Sequence, residues 1–155
     1  MGELFGEWVQ QEWIDTVMNT IKETPWWNFL FLTKNPLRLP EIDFPSNAWV
    51  GTTVDTQKRV AVAETAFKDV NASVKFISCE PMLERITFNK LNLFDWVIIG
   101  GCSRNTKQRG SQPDPEWVEH LVQQARDAGC KVYFKPNLLA IPEGMPILKE
   151  YPQWI

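Results

Sequence analysis

A glutamate stands at the end of an apolar run in residues 74–83, VKFISCEPML, and two lysines end other apolar runs. Lys34 ends NFLFLTK and Lys135 ends KVYFK. Two ammonium groups can hold an anionic ligand, and Glu80 can bind a hydroxyl or amine or move a proton with a shifted pKa. The same three charges could instead form a structural ion cluster, because buried charges need partners whether or not they do chemistry. We take Glu80, Lys34 and Lys135 as the candidate catalytic residues.

Hydroxyl residues and glycines end the other apolar runs and supply candidate ligand-binding groups. The loop that follows, CSRNTKQRGSQPDP, adds basic side chains. Glycines let backbone N–H groups approach an anion closely, so phosphate or carboxylate binding is expected here. The sequence has no GxGxxG and no Walker motif, and a solvated basic loop is the alternative. The candidate ligand-binding residues are Thr52, Thr53, Ser78, Gly100, Gly101, Ser103, Arg104, Lys107 and Arg109.

The apolar runs have the composition of buried parallel strands. They are rich in β-branched and aromatic residues and are continuous, as in strands that are covered on both faces. Right-handed crossovers between parallel strands would bring all their carboxyl ends to one edge of the sheet. The five predicted strands occupy residues 28–34, 48–54, 74–78, 96–101 and 131–135.

Three segments with helical periodicity lie before and between these runs. PDPEWVEHLVQQARDAG has Asp114 as its predicted N-cap, and DTQKRVAVAETAFKDV begins at a predicted capping Asp55. The segment EWIDTVMNTIKETP places an apolar face on one side of its helix, with Trp13, Ile14, Val17, Met18 and Ile21. The alternation of strands and helices predicts an α/β fold, and 155 residues fit one domain over 1–155.

Composition excludes several classes of protein. The 16 basic and 19 acidic residues give a net charge of -3, which argues against a general electrostatic surface for nucleic acid or membrane. The most apolar run, PWWNFLFLT, is too short to cross a bilayer. Three cysteines far apart in sequence fit neither a disulfide framework nor a zinc knuckle, so a reduced, cytoplasmic setting is expected. With His120 as the only histidine, no metal site is predicted.

Tryptophan is abundant, with eight residues in the chain. Aromatic side chains can form stacking platforms for bases. Trp13 and Trp117, however, fall on apolar helix faces, and Trp49 and Trp96 begin strands. Most of the tryptophans are therefore expected in the core.

The order of several motifs resembles the C-terminal half of a phage-associated family of uncharacterised proteins, the gp-thirty-seven/gp-sixty-eight family. The motifs are MGELFGEWV, LTKNPLRL, NAWVGTTV, VKFISCEPML, FDWVIIGG, PEWVEHL and VYFKPN, which extend to about Asn137. Where the family typically has a glutamate after Gly-Gly, this chain has Cys102. The matching positions are Lys34, Trp49, Gly51, Ser78, Glu80, Pro81, Gly100 and Gly101.

The resemblance implies a fold and a cofactor. Complete members resemble radical S-adenosylmethionine enzymes, with a cysteine cluster for iron–sulfur binding in an upstream segment. The expected fold is then a partial (half) β/α barrel of about five mostly parallel strands with flanking helices. The alternative is an open doubly wound parallel sheet. S-adenosylmethionine and an iron–sulfur cluster are expected only together with that upstream segment, and this chain is expected to hold no cofactor by itself.

Three functions follow as hypotheses. The chain is the C-terminal part of a radical S-adenosylmethionine-like protein, a non-catalytic binding or assembly module of a mobile element, or a small self-sufficient α/β enzyme with Glu80 as general base. A half barrel would have open sheet edges, so a homo-oligomer or a partner with the N-terminal half is expected. A small-molecule ligand is a further expected partner. The acidic balance argues against nucleic acid, although the family's likeness to DNA-repair radical enzymes keeps that alternative open.

Overall fold

A computed structural model, which describes residues 3–103 and 110–153, contains one five-stranded sheet. All four strand pairs are parallel, and each strand lies beside the next one in the chain. All five predicted strands are confirmed within one or two residues of their ends. They are β1 Phe29–Thr33, β2 Ala48–Thr53, β3 Val74–Cys79, β4 Trp96–Ile99 and β5 Lys131–Phe134.

The helices pack on one face of this sheet. They are α1 Gln11–Lys22, α2 Val60–Phe67 and α3 Pro115–Asp127, with 3-10 turns at Pro36–Glu41, Gln57–Arg59 and Leu91–Leu93. Apolar residues of all three α-helices share one core cluster with Val50, Ile77, Val97 and Val132 of the sheet. A doubly wound sheet needs a reversal of strand order with helices on both faces. The unreversed order and the single helical layer argue against a doubly wound sheet, and they are consistent with a partial barrel or an open sheet.

Two sequence predictions for the helices are wrong, the capping role of Asp55 and the burial of Trp13, whereas the prediction for Asp114 is confirmed. Asp114 caps α3 as predicted, because its Oδ1 accepts a hydrogen bond from Glu116 N at 2.9 Å. Asp55 does not cap α2, since the 3-10 turn Gln57–Arg59 intervenes and Arg59 occupies the N-cap position. On α1, Ile14 and its neighbours face the core as expected, but Trp13 is 59% exposed.

The other face of the sheet, here called the open face, has no helix of the described ranges packed on it. Strand alternation places a second apolar cluster there, formed by Trp49, Val74, Phe76 and Trp96 with Ile98 and Tyr133 beside it. Tyr151 covers part of this cluster, with its ring 5.7 Å from Trp96. Phe76 also lies over Gly51 of β2, where a Cβ would collide with its ring.

The two edges of the sheet differ. Along β5, residues 148–150 run antiparallel, with Phe134 N donating to Leu148 O and Glu150 N donating to Val132 O. Beyond β1, no strand of the described ranges pairs with the sheet. Leu30 and Leu32 of β1 are 48% and 49% exposed on the open face. The sheet therefore has one covered edge and one unpaired apolar edge.

Most described tryptophans are not in the core, and that expectation is wrong. Trp49 and Trp96 are buried, and Trp117 packs partly against the helical core. The side chains of Trp8, Trp13, Trp26 and Trp27 are exposed. The exposed tryptophans lie in and around α1 and immediately before β1.

Candidate functional site

An ion pair lies across the carboxyl ends of β3, β4 and β5. Lys135 Nζ donates to Glu80 Oε2 at 2.6 Å, and Asn137 Nδ2 donates to Glu80 Oε1 at 2.9 Å. The side chains of Glu80 and Lys135 are 22% and 40% exposed. Because active sites of β/α folds lie at this edge of the sheet, the pair is placed where a ligand could reach it.

Asn137 is the residue of this site that the sequence expectation missed. Its amide also donates to Gly101 O at 2.8 Å and to Ser103 Oγ at 3.2 Å. Its Oδ1 is buried and has no hydrogen-bond partner in the described ranges. The only signal in sequence is its place two residues after Lys135, in FKPN.

Gly100 makes the approach between these side chains possible. A Cβ at this position would lie 2.9 Å from Glu80 Cγ and 3.0 Å from Asn137 Oδ1. Both distances are shorter than ordinary van der Waals contacts. The glycine predicted as a ligand-binding position therefore acts here by leaving room for Glu80 and Asn137.

A cavity of about 250 Å³ opens below the ion pair on the open face. Ser78 lies at its polar end, is 3% exposed, and donates no side-chain hydrogen bond to any described residue. The rest of the lining is apolar or aromatic apart from the ion pair. The cavity is lined by Leu30, Leu32, Phe76, Ser78, Glu80, Trp96, Ile98, Tyr133 and Lys135.

Lys34 belongs to a different ion pair from Glu80 and Lys135. Lys34 Nζ lies 3.1 Å from Asp55 Oδ2, and Arg59 Nε lies 2.8 Å from Asp55 Oδ1. Burial alone would raise the pKa of Asp55, but the hydrogen bond and charge of Lys34, with the charge of Arg59, bring it below its usual value. The three predicted catalytic residues are thus divided between two ion pairs.

The predicted ligand-binding residues are also divided between two places, the end of β2 and the surroundings of Asn137. Thr52 is buried, and its Oγ1 donates to Thr33 O at 3.0 Å, so it ties β2 to β1. Thr53 pairs in register with Ser78 at the end of β2. Gly101 and Ser103 accept from Asn137. Arg104, Lys107 and Arg109 lie outside the described residues.

The cysteines do not fit an iron–sulfur cluster. Cys79 ends β3, Cys102 follows β4 and Cys130 precedes β5, and all three thiols are buried and unpaired with one another. In 3–103 and 110–153, no group of three or more His, Cys, Asp or Glu could hold a metal ion. Burial raises the pKa of Cys130 to about 11, whereas a cluster ligand must be a thiolate.

His120 has structural partners away from the candidate site. Its Nδ1 lies 3.2 Å from Arg85 Nη2, and its Nε2 lies 3.0 Å from Thr87 Oγ1. Burial, with the charge of Arg85, lowers the pKa of His120. The imidazole joins α3 to the segment before β4.

The family comparison gives a match over most of the chain. The family model DUF5131, described as a protein of unknown function, matches residues 1–137. No curated protein and no solved structure matches the chain. Among the described helices, none has both the length and the apolar character required for a membrane span.

Proposed function

This chain belongs to the DUF5131 family, and on that premise we propose that it is the C-terminal portion of a phage-associated, radical S-adenosylmethionine-like protein. Its part in that protein is to bind an organic ligand at the carboxyl-terminal edge of the sheet. The iron–sulfur cluster would have to come from outside the described residues, because the three cysteines do not fit one.

The position of the Glu80–Lys135 pair carries this proposal. The pair closes one end of an otherwise apolar cavity on the open face, with the Ser78 hydroxyl beside it. Ligand sites are concave and mostly apolar, with a few polar groups that fix orientation. A purely structural ion pair would not require a cavity below it.

A titration of the ¹⁵N-labelled chain with S-adenosylmethionine tests the binding part of the proposal. We expect amide shifts at the ends of β3, β4 and β5, including Ser78, and weaker binding by Glu80→Gln. Glu143→Gln is the matched control, because Glu143 is exposed and has no side-chain hydrogen bond or ion pair to a described residue. Shifts confined to the amino-terminal ends of the strands would contradict this site.

Reconstitution with iron and sulfide tests the assignment of the cluster. We expect this chain alone to give no charge-transfer absorption, because its cysteines are buried at separate sites. Supplying the upstream segment as a second polypeptide should produce that absorption. A stable cluster on this chain alone would contradict the assignment.

An assembly role is the second candidate, and the unpaired edge of β1 favours it. Phe29–Thr33 has no charged residue, and Leu30 and Leu32 expose apolar surface beside this edge. Such an edge is a template for strand pairing. A homo-oligomer, or a partner with the N-terminal half of the barrel, would cover it.

A further inference from the structure

We propose that the open-face cavity selects a flat, uncharged group, either a small ligand or one ring system of a larger molecule, whose polar edge presents a hydrogen-bond acceptor beside a donor, as an amide or lactam does. This inference rests on the proposed function, because it names the ligand class for the same site. Four features of the cavity carry it: its shape, its spare donors, its spare acceptors and its charge balance.

The walls of the cavity fit an apolar, flat group. Leu30 and Leu32 of β1 line it together with the aromatic side chains of Phe76 on β3 and Trp96 on β4. Phe76 can reach over β2 because residue 51 is a glycine. A volume of about 250 Å³ lies just below the usual range for ligand pockets, ~300 to 1,000 Å³. A small ring system, or one ring system of a larger molecule, would fill it.

Unused donors lie at the polar end of the cavity. The Lys135 ammonium has three N–H groups and donates one to Glu80, and no other described residue accepts from it. Ser78 lines the cavity, and its hydroxyl also has no partner in the described ranges. A ligand that buries these donors without an acceptor would leave them unsatisfied, which is costly. The ligand therefore needs an acceptor oxygen or nitrogen at this end.

Unused acceptors lie beside those donors. Each oxygen of the Glu80 carboxylate accepts one hydrogen bond, from Lys135 or from Asn137. An ionised carboxylate has about four lone-pair positions, so acceptor capacity remains. A ligand N–H or O–H next to the acceptor group would use it.

The charge balance disfavours a charged group placed directly against the ion pair. Lys135 and Glu80 carry opposite charges 2.6 Å apart, so the pair has no net charge to neutralise a ligand ion. A carboxylate or ammonium ligand would be desolvated against an apolar wall without a counterion of its own, which is unfavourable. A neutral amide edge satisfies both members of the pair without this cost.

Three naphthalene probes that differ in the charge of one polar group test the inference: naphthalene-2-carboxamide, naphthalene-2-carboxylate and 2-naphthylmethylammonium. Binding is measured by calorimetry, and the site is located by the amide shifts of the labelled full chain. We expect the carboxamide to bind the wild-type chain at least tenfold more tightly than either ion. The amide signals of Ser78 and Ile98 should shift.

Two variants should change the preference in opposite directions. Glu80→Gln leaves Lys135 without its counterion, so the affinity for the carboxylate should rise at least fivefold relative to the affinity for the carboxamide. Lys135→Met removes the positive charge that balances Glu80, so the affinity for the ammonium should rise by the same factor relative to the affinity for the carboxamide. Lys90→Met is the control for the lysine change, since Lys90 is exposed and its Nζ has no partner in the described ranges. It should leave all three affinities unchanged.

The outcomes separate the inference from the proposed function. If an ionic probe binds the wild-type cavity more tightly than the carboxamide, the inference is overturned while ligand binding at this edge stands. If neither the probes nor S-adenosylmethionine shift signals at the ends of β3, β4 and β5, both are overturned. A reversal of preference in the two variants supports the inference directly.

Discussion

Lys135 Nζ and Glu80 Oε2 lie 2.6 Å apart although their strands, β5 and β3, are separated by β4. The two side chains meet over the end of β4, where residue 100 has no side chain. The close approach therefore depends on a third strand that contributes space and no charge. This arrangement leads to a prediction for Gly100 itself.

Gly100→Ala should disturb the site more than the fold. The added Cβ would lie 2.9 Å from Glu80 Cγ, so the Glu80 side chain must move and lengthen its bond to Lys135. We expect ligand affinity to fall at least tenfold, measured by calorimetry with naphthalene-2-carboxamide. The urea midpoint should fall only modestly, because Glu80 is partly exposed and can turn toward solvent. Unchanged affinity would show that Glu80 takes no part in binding.

The Glu80–Lys135 pair should contribute little to stability. Both side chains are partly exposed, and exposed ion pairs contribute about 0.2–1 kcal/mol. A double-mutant cycle with Glu80→Gln and Lys135→Met, followed by urea unfolding, should give a coupling of about 1 kcal/mol or less. A coupling of about 3 kcal/mol or more would favour the structural ion cluster, since breaking a buried pair costs that much.

The sequence allowed the strands to be predicted better than the pairing of their charged residues. Continuous apolar runs mark buried parallel strands wherever they lie in the sheet, so all five were found. The partner of a charge depends on strand order, which the runs do not contain. Lys34 follows β1 and therefore meets Asp55 after the neighbouring β2, while Glu80 lies one strand further away.

The sequence alone also did not identify residues that act through their shape or through a single amide group. Asn137 belongs to no periodic pattern, and only the position of β5 in the sheet brings the turn that follows it, with Asn137, against Glu80. Trp13 fits the apolar side of α1 by spacing, yet it is 59% exposed. Helical periodicity identifies a face, but which part of that face is covered depends on neighbouring elements.

The stability of the chain should depend on Glu150 in acid. Two hydrogen bonds of 2.6 Å from Arg126 lower the pKa of Glu150 below its ordinary value of 4.5, and Val132 N also donates to it. A lowered pKa in the folded state adds stability above the unfolded pKa, and this stability is lost as the pH falls through the folded value.

Glu150→Gln should therefore destabilise the chain at pH 7 by about 1–2 kcal/mol, because it loses a charge-assisted bond to Arg126. The difference from wild type should shrink as the pH falls below 4.5. Urea unfolding at a series of pH values measures this difference in the free energy of unfolding. Glu143→Gln, on the same C-terminal segment, should track the wild type throughout. A difference that persists undiminished at the lowest pH would contradict the ionic role.

The three cysteines should differ in reactivity. Burial, with the charge of Asp55, raises the pKa of Cys79 far above its ordinary value, and burial raises the pKa of Cys130 to about 11. Because the thiolate is the nucleophile, neither should react with iodoacetamide at pH 8 in the folded chain. Mass spectrometry should find Cys102, which is 9% exposed, modified first. Native modification of Cys79 before Cys102 would contradict the described burial of β3.

The unpaired edge of β1 should hold two chains together. Leu30 and Leu32 expose apolar side chains beside backbone N–H and C=O groups that pair with no described strand. Pairing of this edge with a second chain would satisfy those backbone groups and remove the apolar surface from water. We expect sedimentation velocity at micromolar concentration to show a dimer or higher oligomer, and the double variant Leu30→Glu, Leu32→Glu to be a monomer. Charges directly opposite each other across a paired edge repel.

The control for this change is Val62→Glu, because Val62 is an aliphatic residue of α2 with a similar exposure of 41%. It lies on the helical side of the sheet, away from the open face, so the oligomer should persist in this variant. Equal dissociation by both variants would place the contact on the helices instead. A wild-type chain that sediments as a compact monomer would contradict self-association at β1, and the edge would then be available for a partner with a different sequence.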